Sequence, residues 1–108
     1  MKPIDLENAI LIALRRCGAH TDASGMTVHR INALLRAIYR TPPSWRDVAI
    51  AVLRLERRGL VRLVDYETHG EDCHPLYALS PAGTGAARTV RIQQQNAGVL
   101  EEVAHGGA

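Results

Sequence analysis

SWRDVAIAVLRLERRGLV, residues Ser44–Val61, reads as a single helix with both of its ends marked. Ser44 supplies a side-chain oxygen for the free backbone N–H groups of a helix start, and Pro42-Pro43 bars an earlier beginning. At the far end Arg57-Arg58 suit the negative pole of the helix, and Gly59 suits the left-handed position that closes it. With about 100° between successive residues, Val48, Ala51, Val52 and Leu55 gather on one face, and Arg46, Ile50, Leu53 and Arg57 lie opposite. One face seeks a core and the other is left to meet a partner.

The flanks supply that core. Upstream, Thr27–Tyr39 predicts a helix capped by Thr27, with Val28, Ile31, Leu34, Leu35 and Ile38 as its apolar stripe. Arg40–Pro43 is a short, stiff turn, so the two helices make a helix-turn-helix. Further upstream Ile4–Cys17 predicts another helix, with Leu6, Ile10, Ala13 and Leu14 at helical spacing, Asp5 as its cap and Gly18 as its stop. His20–Gly25 is a polar loop.

Downstream, Leu60–Glu67 alternates in part and carries strand-forming residues, Thr68–His74 is a turn, and Pro75–Leu79 returns as a second strand. Ser80-Pro81 starts a last helix reaching to about Val103, weakened at Gly83 and Gly85 by up to ~1 kcal/mol each. The expected fold is α+β and mainly helical: a winged helix-turn-helix of three helices, a two-stranded wing and a C-terminal helix. Residues 1–80 would form that domain, 81–104 a helix suited to dimerisation, and 105–108 a frayed tail.

Composition bounds the function. A chain of 108 residues, 46% of them apolar, makes one domain with a modest core. No apolar run approaches the ~20 residues of a membrane span, and the first residues do not lead into a signal peptide, so a cytoplasmic location is expected. The two cysteines, Cys17 and Cys73, suit reduced thiols. Cys17 beside His20 reads as a buried thiol near a surface imidazole rather than a catalytic pair.

The net charge of +2 conceals a segregation: residues 15–62 hold ten Arg against Asp22, Asp47 and Glu56, whereas residues 63–108 carry a net −4. A basic half is the footprint of a polyanion binder.

Two strings add a resemblance. Val52–Val61 (VLRLERRGLV) and, some fifteen residues on, Tyr77–Gly83 (YALSPAG) resemble the winged-helix regulators of the PadR family, and more loosely those of the MarR family. Arg54, Leu55, Glu56, Arg57, Gly59, Leu60 and Val61 carry the first likeness. Tyr77, Leu79, Pro81 and Gly83 carry the second, with Ser80 where those regulators have Thr. The resemblance implies a homodimer paired through its terminal helices, with one recognition helix per half-site. Trp45-Arg46 depart from the Pro-Gly that usually follows the capping Ser, and the wing is unusually acidic.

On this reading helix 44–58 enters the major groove of double-stranded DNA. The candidate contacts are Arg40, Ser44, Trp45, Arg46, Ile50 and Arg54. Arg46 suits a guanine edge, Ile50 a thymine methyl, and Arg40 and Ser44 phosphate. Trp45 reads first as a lid on the core and second as a backbone contact. Arg57 and Arg58 lie too far along the helix for bases and suit its dipole; Arg54 stays open.

Asp65, Glu67, Glu71 and Asp72 argue that the wing avoids phosphate and offers itself to a protein partner. His69, Cys73 and His74 are residue types that suit zinc, but no metal-binding spacing accompanies them, and no metal or cofactor is expected. No phosphate loop, nucleophile elbow or carboxylate pair marks an enzyme. The leading reading is a dimeric regulator; the others are a protein-interaction module built on the wing, and a metal- or thiol-responsive regulator.

Overall fold

A computed structural model describes residues 2–90 of the chain. Three helices come first: α1 (Pro3–Arg16), α2 (Val28–Ile38) and α3 (Trp45–Arg57). An antiparallel hairpin follows, β1 (Val61–His69) with β2 (Asp72–Leu79), and then a helix, α4, at 81–90. The part of the expected last helix beyond residue 90, and the tail at 105–108, lie outside the described residues.

The two helices of the expected helix-turn-helix are capped as their sequences require. The Thr27 hydroxyl accepts from Arg30 N–H at 3.2 Å, and the Ser44 hydroxyl accepts from Asp47 N–H at 3.1 Å. Between them the Asn32 side-chain amide donates to the Pro43 carbonyl at 3.4 Å, tying the turn back to α2. Gly59, at φ +74°, closes α3, and Leu60 N–H returns to the Leu55 carbonyl at 2.9 Å.

α1 departs from expectation at its start. Asp5 lies inside the first turn rather than at the cap; Lys2 holds the cap position and Pro3 opens the helix. A proline at that point loses no hydrogen bond, because the N–H it lacks would have had no intrahelical acceptor.

The core lies where the three helices converge on the hairpin. Leu6, Ala9, Ile10 and Leu14 of α1 meet Ile31 and Leu35 of α2 and Val48, Ala51, Val52 and Leu55 of α3. Val61, Tyr77 and Leu79 close the open end, with Ala87 of α4 against them. Each fully buried Leu, Ile or Val contributes about 1.5–3 kcal/mol. β2 is also pinned on its other side, where Met26 and Tyr77 exchange backbone hydrogen bonds of 2.8 and 2.9 Å.

The hairpin is longer than its sequence suggests. The turn read over Thr68–His74 is shorter than that: pairing runs out to His69↔Asp72, leaving Gly70-Glu71 as a two-residue turn with Gly70 at φ +63°. Backbone ladder bonds hold the polar tip, and an exposed hairpin needs no apolar alternation to make them. Register shifts once, between Leu63 and Asp65, where a bulge absorbs Val64. Beyond that bulge Glu67 faces His74 and Thr68 faces Cys73.

Cys17 also departs from expectation. It lies exposed just past the end of α1, not buried, because Ala19 rather than Cys17 turns into the core.

Candidate nucleic-acid interface

Burying Val48, Ala51, Val52 and Leu55 leaves the opposite face of α3 in solvent. Arg46, Arg54 and Arg57 stand there with Ile50 and Leu53, the last two each more than two-fifths exposed. The face has two flanks. On one, Ser44, Asp47, Ile50 and Arg54 line a cavity of about 420 Å³ with Thr41–Pro43 and the start of α1. On the other, Trp45, Ala49 and Leu53 line a smaller, mostly apolar cavity with His29, His74, Pro75 and Tyr77. The free N–H groups of the α3 start, the Ser44 hydroxyl and the exposed guanidinium of Arg46 occupy one end of this surface, with Arg40 in the turn before it.

All six residues singled out as DNA contacts—Arg40, Ser44, Trp45, Arg46, Ile50 and Arg54—are therefore solvent-exposed on α3 or its lead-in turn. Trp45 corrects the first of its two readings. It does not lid the core: it is 51% exposed, and its indole stacks on the His29 imidazole with ring centres 5.6 Å apart. As the first helical residue it projects away from the core stripe that begins at Val48. Arg58 is likewise more than a dipole partner. Its guanidinium donates to Glu7 of α1 at 3.1 Å, pairing a carboxylate that is only 8% exposed.

The hairpin gives the surface a second, oppositely charged arm. Arg62, the one cation at its base, is held by Asp22 at 2.6 Å. Past Arg62 the strands carry Asp65, Glu67, Glu71 and Asp72 in solvent. The metal candidates are partly separated by the register. His69 and His74 share a face, their ring centres 6.1 Å apart, while Cys73 points the other way, as neighbours on a strand must. Among the described residues no three His, Cys, Asp or Glu side chains converge tightly enough to hold a metal ion.

His29 joins the two histidines from α2, edge-on to His74 at 5.3 Å. Sequence spacing gave no hint of this meeting, because the two residues are brought together only by packing of the hairpin over the start of α2.

Among solved structures the chain is similar to Lactococcus lactis ZitR, a mutant in its apo form. The TM-score is 0.60 at 16% identity, over 96% of this chain and 68% of that one. It is similar also to a transcriptional regulator from Clostridium thermocellum, Cth-833, with TM-score 0.60 at 14% identity, over 94% of this chain and 87% of the other. The fold is a winged helix. At these identities the likeness is one of backbone path: three helices followed by the β1–β2 hairpin, which is the wing. No family model and no curated protein matches the chain. No helix among the described residues is long and apolar enough to cross a membrane.

Proposed function

We propose that this winged helix binds double-stranded DNA as a transcriptional regulator, with α3 in the major groove. The carrying observation is the α3 surface itself: an exposed Arg46 beside a capped, solvent-facing helix start, with Arg40 at its approach. A helix start of this kind attracts phosphate, and a guanidinium one residue inside it is within reach of base edges. The description of the Clostridium thermocellum neighbour as a transcriptional regulator supports the reading. The finer form is a PadR-like homodimer acting on a palindromic site, its copies paired through the terminal helices; it rests on the two sequence strings.

The test is a pair of substitutions read by fluorescence anisotropy against random and selected duplexes. Arg46→Ala should cost about 1–3 kcal/mol of discrimination at one base pair, whereas Arg40→Ala should weaken all duplexes alike and lower the salt slope by about 1. If neither variant changes affinity for any duplex, α3 is not the reading helix.

One observation favours a second reading, a protein-interaction module. With Arg62 engaged by Asp22, the outer wing presents carboxylates to any partner. Reversing Glu71 and Asp72 to Lys should strengthen DNA binding if the wing lies near phosphate, and should abolish partner capture if the wing is the contact.

A further inference from the structure

Trp45, His29, His74 and His69 form one continuous row of rings that starts at the first residue of α3, crosses the start of α2 and ends at the wing tip. Successive ring centres are 5.6, 5.3 and 6.1 Å apart. The row occupies the angle between recognition helix and wing, where a duplex seated on α3 would pass its backbone. Its outer members are open to water, with the His69 side chain 67% exposed and Trp45 51% exposed.

Charge gives the row its meaning. Between Leu63 and Leu76 the wing has no Lys or Arg; His69 and His74 are the only side chains there able to become cationic. With neutral imidazoles this arm shows phosphate four carboxylates. With protonated ones it adds cations beside Glu67 and Asp72 on the face that all four residues share.

From these positions we infer that His29, His74 and His69 are a proton-gated phosphate contact, through which the DNA affinity of this chain rises as the imidazoles take up protons. The inference rests on the DNA-binding reading above and concerns the regulation of that same surface.

The surrounding charges set the sign. Glu67 lies 3.3 Å from His69 and pairs with His74 in register, and Asp72 stands opposite His69, so each imidazole has a negative charge beside it. Against them act the positive pole of α2, two residues into which His29 sits, the neighbouring Arg30, and the mutual repulsion of three closely spaced cations. At the α3 start the charged groups are Arg46 and Asp47, the latter on the opposite flank, and the Tyr77 phenol is neutral in the adjoining cavity. A phosphate entering the row relieves the opposing terms. Phosphate binding and protonation are then linked, each strengthening the other by the same factor. Histidine is the side chain whose charge changes between about pH 5 and 8.

The experiment is anisotropy with a labelled random-sequence duplex, as a salt titration at about pH 5.5 and about pH 8.5, where imidazoles differ in charge. The full chain is compared with the His29→Gln/His69→Gln/His74→Gln variant and with His20→Gln, whose ring bonds the Gly18 carbonyl and belongs to none of the ring pairs of the row. Expected is tighter binding at acid pH, with a salt slope steeper by about 2–3 for two to three added phosphate contacts. The triple variant should lose that difference and His20→Gln should keep it. His69→Gln alone, at an exposed wing tip, should remove about one unit of slope and guards against misfolding of the triple variant.

Duplex binding with the same slope at both pH values, or a folded triple variant that keeps the full pH effect, overturns the inference and leaves the DNA-binding reading standing. Absence of binding at both pH values would overturn that reading too.

Discussion

At the scale of single residues two buried polar groups decide how the domain responds to its surroundings. Burial pushes the Tyr77 phenol above its ordinary value, and the nearby Glu56 carboxylate and Tyr66 add to the effect. Because the folded state holds this proton more tightly, stability is fully present below the unfolded phenol's value near 10 and falls as pH rises beyond it. Tyr77→Phe should flatten that alkaline decline in denaturant midpoints measured between about pH 9 and 11; an unchanged decline would place its origin in other groups. Glu7 is the second case. Its carboxylate, on α1, is buried and met by the half-exposed Arg58 at the end of α3. Arg58→Ala should destabilise by about 1–3 kcal/mol, toward the lower end because water reaches the guanidinium, whereas the exposed Arg57→Ala should stay within about 0.5 kcal/mol. Urea titrations with unchanged m-values would separate the two.

At the scale of elements, the strings behind the PadR resemblance meet at one corner. Ser80 donates its hydroxyl proton to the Gly59 carbonyl, caps α4 by accepting from Gly83 N–H at 2.9 Å, and sends its own N–H to the Leu60 carbonyl at 3.0 Å. Gly83 packs so closely that a methyl there would overlap the Leu60 carbonyl oxygen, while a methyl on Gly85 would meet open space. The two glycines of α4 should therefore respond oppositely to Ala. Gly85→Ala should gain up to about 1 kcal/mol of helix propensity, and Gly83→Ala should lose more than that, as thermal melting would show.

The same corner explains what the sequence disclosed. Helix existence was legible from apolar spacing and from Thr27, Ser44 and Gly59, each of which satisfies or ends a specific set of backbone bonds. The motifs spoke for the junctions of the fold and were silent on what the α3 face meets. The turn at the wing tip reads as longer than it is because its residues are polar and a bulge breaks their alternation. Trp45 stays outside the core because it is the first residue of α3, three positions before the apolar stripe begins, and the His29–His74 meeting depends on contacts between segments distant along the chain.

At the scale of the whole molecule, the charge segregation read along the chain becomes a difference between two arms, an arginine-bearing helix and a carboxylate-bearing wing. The wing belongs to a two-stranded sheet, so the exposed outer part of β1, Asp65–His69, has a free edge on which alternate residues present backbone groups to solvent. An open strand edge is a template on which a second chain can add, and proteins that leave one exposed are prone to stick to themselves. Here the Val64 bulge breaks the flat edge, and Asp65 and Glu67 place charge along what remains. The acidity that sets the wing apart from phosphate thus has a colloidal role independent of any ligand. Asp65→Val with Glu67→Val should leave the melting temperature near the parent value yet raise light scattering on standing at high concentration. That outcome would make the carboxylates the groups that keep neighbouring copies from growing into a shared sheet.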